Sequence, residues 1–584
     1  MILVAPEKIE AYAARGWWGR DTLWQLFERR RAEHPDAEAV IDAPNRDAFA
    51  HGAPARWSWD ELARHADGVA LALLDAGLRR DERVVVQLPN CVEQFAVYLA
   101  CARLGLIVSP VPVQYREHEL EQILAITGAA AAVSFARIGS SERPHPAAQM
   151  FLDLRRSQPA LRAVLVWGDA PVAGAIDLAR PDGWTPSEAQ RRRLLDAERA
   201  AAVTANDVFT ICWTSGTEAQ PKGVPRSHNE WLIVAPSIID AARLQPRVRL
   251  LNPFPFVNMA GLSTAFAAWL VLGATVVQHH PFDLPVFLAQ LRDERIDYTV
   301  APPALLNMLL QNEALLAGID FKRLARIGSG SAPLSEWMVR GFAERHGVQI
   351  VNYFGSNEGA ALAGNDIDIP DPALRARVFP RADAPGREWS VSTTRKVRTR
   401  LVDIDSGRDI AEAGVPGELR FSGPTIFSGY FNAPEQSRRA FDEQGYYKSG
   451  DLFEIVGDAL EFYRYVGRSK DLVIRGGVNI SSEEIENLLL ACPGVAEAAV
   501  VGVPDAALGE RVCACVVARP GHPVSLETIN AFLRDERRIA VFKLPERLLL
   551  LEALPRNPVG KLLKRDLREQ AARLATATAP AQPV

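Results

Sequence analysis

Thr214-Ser215-Gly216-Thr217-Glu218-Ala219-Gln220-Pro221-Lys222-Gly223-Val224 is the stretch around which this 584-residue chain is organised. An apolar run, Val208-Phe209-Thr210-Ile211-Cys212-Trp213, leads into it and predicts a buried strand. Small hydroxyl residues then surround one glycine, Pro221 stops the run, and Lys222-Gly223 follow. A strand that empties into such a loop offers backbone N–H groups, hydroxyls and one ammonium, the donor set of a phosphate cradle. The P-loop pattern G-x-x-x-x-G-K-[ST] is not met, because Pro221 precedes Lys222 and Gly223 follows it. A plain surface loop can have the same composition, so the stretch needs company before it carries a function.

Outward from it, the chain alternates helical and strand patterns. Trp24 to Arg31 and Glu61 to Ala76 have amphipathic helical spacing, the second closed by Gly77. Arg83 to Leu88 predicts a strand, Glu93 to Leu104 a helix capped by Gly105, and Ile107 to Val113 a further strand. Ala163 to Val166 and Tyr298 to Val300 continue the rhythm, the latter before a helix start at Pro302-Pro303. This is βαβ order and predicts an α/β fold. Pro144 to Asp207 is polar, Arg-rich and poorly patterned. From Gly417 short β pieces with turns take over, as in Gly417 to Phe421. A last α/β unit runs from Asp471 to Leu567, and the small, polar residues after Ala571 predict a disordered tail over 571–584.

Composition narrows the class. The length requires several domains. Hydrophobic and charged fractions of 48% and 23% are those of a soluble globular protein. A net charge of −5 supplies no basic field for nucleic acid. The six cysteines form no C-x-x-C and read as buried thiols, with Cys513 and Cys515 sharing one strand face. Met259 to Val277 carries no charge, yet its glycines and hydroxyl residues, without flanking anchors, favour a buried helix ended by Gly273 over a membrane span. No charged n-region followed by an apolar stretch opens the chain, and a cytoplasmic location is expected.

Other stretches gain meaning together. Asn352-Tyr353-Phe354-Gly355-Ser356-Asn357-Glu358 sets an aromatic, a glycine and a carboxylate at the carboxyl end of the strand Val348 to Tyr353, where α/β sheets bind ligands. Tyr447-Lys448-Ser449-Gly450-Asp451 and Gly467-Arg468-Ser469-Lys470-Asp471 add acid and base in turns. Pro555-Arg556-Asn557-Pro558-Val559-Gly560-Lys561 offers a lysine on a Pro/Gly loop. Singly, each reads as a solvated charge or a helix-start carboxylate.

In this order TSGTEAQPKGV, NYFGSNE, GELRFSGPTIFSGY, YYKSGD, GRSKDLVIRGGVNISSEEIE and PRNPVGK resemble the successive signatures of the adenylate-forming superfamily, which includes acyl- and aryl-CoA synthetases. The resemblance runs from Trp17-Trp18 to Leu567. It implies a large N-terminal adenylation domain, 1–469, and a small mobile C-terminal α+β domain, 470–570, hinged at Lys470. It further implies that a carboxylate attacks the α-phosphate of ATP, releasing pyrophosphate, and that a thiol then displaces AMP. Thr214, Ser215, Gly216, Thr217 and Lys222 would hold the phosphates, with Gly355 and Asn357 beside them. Phe354 would stack on adenine, Asp451 and Arg468 would bind the ribose, Glu358 would hold Mg²⁺, and Lys561 would bridge carboxylate and phosphate. Rotation about Lys470 would then bring the Arg475 to Asn479 loop, with Gly476 and Gly477, to a tunnel for the thiol of coenzyme A.

By family position Phe256, Asn258, Met259, Gly261, Leu262, Gly330, Ser331 and Ala332 would line the acid pocket. Its apolar residues, with no Arg or Lys to receive a second carboxylate, favour an aliphatic, alicyclic or aromatic acid. The chain departs from the family at Glu218-Ala219, where a small hydroxyl residue and glycine are usual, at Asn357 for Thr, and at Asn258 for His. GWWGRDTL, VPRSHN and Gly509-Glu510-Arg511 resemble both medium-chain or cyclohexanecarboxylate-type CoA ligases and aryl-acid AMP ligases that load a carrier-protein phosphopantetheine for siderophore synthesis. The CoA ligase is the preferred reading. A degenerate member that binds nucleotide without turnover is the third, against which the complete set Lys222, Glu358, Asp451, Arg468 and Lys561 weighs.

Overall fold

The computed structural model describes residues 1–179, 184–214, 221–468, 471–475, 478–505, 508–537, 539, 541–557 and 560–577. They form two compact units, Met1–Arg398 with Phe421–Tyr447, and Thr399–Arg420 with Lys448–Val584.

The first unit is built on two sheets. The seven-stranded sheet runs in the order Ile176–Asp177, Ala163–Trp167, Ala131–Phe135, Arg83–Gln87, Ile107–Pro110, Val208–Thr214 and Lys222–Ser227. Its strands pair in parallel except the last, which folds back on Val208–Thr214. The eight-stranded sheet has Gln349–Gly355 and Arg326–Gly330 side by side near one edge. Parallel strands covered on both faces need near-continuous apolar sequence, as Val84-Val85-Val86 and Ile211-Cys212-Trp213 supply. Helix Val92–Leu104 is buried on every side. Its Phe95 ring meets Phe256, Phe266 and Trp269, so helices from both sheets share one core.

Local signals explain the ends of these elements. Ser58 caps helix Trp59–Asp75 through a reciprocal pair with Glu61. Gly105 closes Val92–Leu104 in the left-handed region. The uncharged 259–277 stretch is a buried helical run, partly π-helical, ended by left-handed Gly273 and followed by strand Thr275–Gln278. Among the described residues no helix is long and apolar enough to cross a membrane.

Three expectations are corrected, and the stretch between Pro144 and Asp207, to which the sequence assigned only the strand Ala163 to Val166, also holds helices Ala147–Leu154 and Glu188–Ala201. Its second helix buries only Leu194 and Ala201, and so shows little apolar pattern, but Ser187 and Gln190 cap it reciprocally. Strand Ile107–Pro110 stops short of Val113, because Pro110 and Pro112 lack ladder N–H groups. Strand Gln349–Gly355 carries Phe354 and Gly355 within it instead of beyond its end, pairing with Ala361–Gly364. Finally, helix Lys564–Ala577 runs through 571–577, where disorder was expected. Leu567 and Ala571 on it are buried against Val501, Cys513 and Cys515, and that burial outweighs the polar composition. Residues 578–584 lie outside the described residues.

In the second unit the hairpin Tyr447–Val456 with Phe462–Arg468 is antiparallel and sets Asp451 opposite Arg468. Further on, Gly509–Ala518 pairs with Val495–Asp505 and Arg547–Leu550. Its period of two sends Val512, Ala514 and Val516 to one core and Cys513 and Cys515 to the other. All six cysteines are buried free thiols.

Candidate active site

Strand Val208–Thr214 and its return, Lys222–Ser227, place Thr214 directly opposite Lys222. Ser215, Gly216 and Thr217 lie outside the described residues. The strand is pinned by two indoles: Trp213 donates to Ser109 Oγ at 2.9 Å, and Trp231 to Thr210 Oγ1 at 2.8 Å.

Three further segments converge on this hairpin. Asn357 ties one of them to the hairpin, its amide accepting from Met259 N–H at 2.7 Å and donating to the Trp213 carbonyl at 3.2 Å. Asparagine in place of threonine therefore serves as a tie as well as a donor. Asn258 caps the following helix, its side chain accepting from Gly261 N–H at 3.3 Å. Glu358 is buried; its backbone carbonyl accepts from Phe427 N–H at 2.9 Å and its Oε1 from the Tyr430 hydroxyl at 3.0 Å. The Lys222 ammonium stands 5.4 Å from the centroid of the Tyr430 ring.

Arg226, fully buried, fastens these segments from beneath. Its guanidinium donates to the carbonyls of Asn357 at 3.1 Å, Glu230 at 2.9 Å and Thr425 at 2.8 Å, and lies over the Trp231 ring. Burial pulls its pKa below the ordinary arginine value, against the fields of Glu230 and Glu358. Gly359 is obligatory here: its φ is +96°, and a Cβ would stand 1.8 Å from the Thr425 carbonyl oxygen.

The proposed acid-pocket residues divide. Phe256 and Leu262 are core residues, Phe256 against Phe95 and Phe266. Asn258 and Met259 are half-buried, Gly261 is buried, and Ser331 and Ala332 are exposed. Gly330 is buried, where a Cβ would meet the Tyr353 carbonyl oxygen at 2.3 Å; Ser331 has φ +68°. Nearby, Tyr298 donates to the Tyr353 hydroxyl at 3.1 Å. Phe354 is half-buried and stacks on Phe421 at 6.3 Å, while Gly355 is exposed.

In the second unit Arg468 Nε donates to Asp451 Oδ1 at 2.9 Å, and the Tyr465 hydroxyl reaches the same oxygen at 3.3 Å. Burial raises the Asp451 pKa, opposed by Arg468 and by the field of Lys561. Lys561 sits on an exposed turn closed by Asn557, whose side chain accepts from Lys561 N–H at 2.8 Å and whose own N–H donates to the Lys561 carbonyl at 2.8 Å. Lys470, Gly476 and Gly477 lie outside the described residues. Strands on either side of the two glycines pair with Arg475 opposite Val478.

Sequence reasoning passed over Arg226, Tyr430 and Glu483. Glu483 Oε2 is shut off from water and has no hydrogen-bond partner among the described residues. Burial first, then Glu486, push its pKa up to about 8, while Lys564 opposes the shift. Lys564 itself pairs with Glu486 at 2.7 Å and Ser482 at 2.8 Å.

Among the described residues no group of three or more His, Cys, Asp and Glu could cage a metal. A single buried carboxylate, Glu358, beside a lysine suits Mg²⁺, which is typically held by one or two carboxylates, waters and substrate phosphates.

Comparison with known proteins shows the family. Residues 27–431 match the AMP-binding enzyme family and residues 484–561 the AMP-binding enzyme C-terminal domain. The chain is 32% identical over 578 residues to the 2-hydroxy-7-methoxy-5-methyl-1-naphthoate–CoA ligase of Streptomyces carzinostaticus, covering 98% of this chain and 97% of that one. It is 30% identical to the medium-chain fatty-acid–CoA ligase of Escherichia coli K12, covering 97% and 93%. ATP-bound MatB from Rhodopseudomonas palustris superposes with a TM-score of 0.74 at 26% identity, covering 95% and 100%. The chain therefore belongs to the AMP-binding enzyme family, the adenylate-forming enzymes that its successive motifs resemble.

Proposed function

We propose that this protein is an ATP-dependent carboxylate–CoA ligase acting on an apolar acid. The carboxylate attacks the α-phosphorus of ATP, forming the acyl-adenylate as the bond to pyrophosphate breaks. The thiol of coenzyme A then attacks the acyl carbon and AMP leaves. The observation that best supports this is the convergence of Lys222, Glu358 and Thr214 on one braced frame, with the Asn258–Leu262 segment tied to it through Asn357. Both reactants of the first half are anions, so the step requires cations aimed at the developing charge.

Lys222 and the hydroxyls from Thr214 to Thr217 hold the triphosphate, Phe354 stacks on adenine, and Asp451, oriented by Arg468, accepts from the ribose hydroxyls. Glu358 would hold Mg²⁺, which when bound neutralises charge on the departing pyrophosphate. Lys561 serves the carboxylate and α-phosphate in the first half. In the second half the loop containing Gly476 and Gly477 serves the thiol, with Lys470 as hinge. Half-buried Met259 and a pocket sequence without Arg or Lys support an aliphatic, alicyclic or aromatic acid.

AMP release tests the reading, measured with and without CoA over benzoate, hydroxybenzoates, cyclohexanecarboxylate and straight-chain acids. Selective release that CoA accelerates is expected. Release that CoA leaves unchanged would contradict CoA as the acceptor and favour a carrier-protein thiol.

A further inference from the structure

Glu358 and Lys222 reach the site from segments distant in sequence, and one short segment fastens to both. Phe427 N–H holds the Glu358 carbonyl at 2.9 Å, and Phe431 N–H holds the Gly223 carbonyl, beside Lys222, at 2.9 Å. Between these two anchors stands Tyr430, its hydroxyl 3.0 Å from Glu358 Oε1 and its ring 5.4 Å from the Lys222 ammonium. The segment is itself fixed. Ser437 Oγ accepts from Tyr430 N–H at 2.8 Å and donates to the Ala433 carbonyl at 2.8 Å, and the Phe427 ring meets Tyr430 edge-on at 4.9 Å. Gly429, at φ +141°, admits that serine, since a Cβ would lie 2.9 Å from its hydroxyl.

A phenol that donates to one carboxylate oxygen selects the rotamer of the carboxylate and so the direction in which its second oxygen points. Partners of this kind commonly control a ligand's affinity for metal without touching it. An aromatic face near an ammonium likewise restricts where the cation sits while leaving its N–H groups available to phosphate.

We propose that Tyr430 is a positioning residue for adenylation: its hydroxyl aims the Glu358 carboxylate at a divalent cation, and its ring aims the Lys222 ammonium at phosphate. The inference rests on the roles given to Glu358 and Lys222 above.

Two substitutions separate the two contacts. Tyr430→Phe removes the hydroxyl and keeps the ring, whereas Tyr430→Leu removes both. Mn²⁺ binding is read by electron paramagnetic resonance with α,β-methylene ATP present, alongside the thermal midpoint and the KM values for ATP and acid. Tyr430→Phe should weaken Mn²⁺ by about tenfold, with the acid KM and the midpoint unchanged. Tyr430→Leu should add a rise in the ATP KM. Wild-type Mn²⁺ affinity in Tyr430→Phe would overturn the proposal, as would losses that simply follow a lowered midpoint in both variants. Glu358→Gln tells the proposal from its foundation. If that variant loses Mn²⁺ while Tyr430→Phe does not, the role of Tyr430 alone fails; if it binds Mn²⁺ as wild type does, both fail.

Discussion

The two units carry their charged groups in opposite ways. In the first, Lys222, Asn357 and Glu358 stand on a frame whose backbone carbonyls and amides are tied across four segments by Arg226, Asn357, Phe427 and Phe431. In the second, Lys561 is exposed, on a local turn whose bonds link Asn557 to Gly560 and Lys561 and Pro555 to Leu563. Asp451 and Arg468 lie between these extremes, paired across a hairpin, with the carboxylate buried and the guanidinium one-third exposed. Under the proposed reaction, the difference separates groups set in advance from a lysine assigned to one half alone. A triphosphate needs donors already in place, because reorganising them during the step would raise the barrier. A lysine required for adenylation alone is better carried on a loop that can leave.

The largest effect that would sharpen this contrast is expected at Lys561. Lys561→Ala should slow acyl-adenylate formation by about 10²–10³, while thioester formation from supplied acyl-adenylate stays near wild type in a single-turnover assay. Equal loss of both halves would erase the distinction between the units. At Arg226 the expectation reverses, with stability and activity falling together. Arg226→Met strands two buried carbonyls and the half-buried one of Asn357, and a buried one costs about 1–3 kcal/mol when left unsatisfied. Arg226→Lys should rescue little, since a single ammonium cannot reproduce the planar fork. Calorimetry beside steady-state kinetics would show whether the losses coincide.

Asn357→Ala should act more gently, raising the KM values for acid and ATP together, because one amide ties the Met259 segment to the phosphate strand. A change in only one KM would show that the two segments are set independently.

The smallest effect belongs to Glu483, which faces Glu486, Lys564, Asp451 and Arg468. Its folded pKa, about 8, lies above the ordinary value of 4.5, so the folded state binds the extra proton between those limits. Its contribution is fully present below about pH 4.5 and is lost as pH rises through about 8. Glu483→Gln should flatten the decline of the thermal midpoint across that window by a few degrees. An unchanged slope would place the titration elsewhere.

The contrast also explains what the sequence made legible. Continuous apolar strands, glycine stops and a proline helix start announced the parallel architecture, since each is a local rule with a local cause. Asp451 and Arg468 were recognisable as a pair of motifs, and the hairpin register brought them into contact. The bracing was not legible. Arg226 resembles any strand arginine until three carbonyls from separate segments surround it, and Tyr430 is one aromatic at the end of a glycine-rich motif. Helix Glu188–Ala201 escaped notice because it buries two side chains. The expectation of disorder over 571–577 failed for a related reason, as composition alone does not show the strand face on which Leu567 and Ala571 rest.

The measurement that bears most directly on the whole account is acid-dependent ATP–pyrophosphate exchange by the wild-type chain in the presence of Mg²⁺. Exchange that one class of apolar acid supports, and that chelation of the metal abolishes, is the predicted result. Nucleotide binding with no exchange for any acid in the panel would contradict the account and make the braced frame a nucleotide-binding site without turnover.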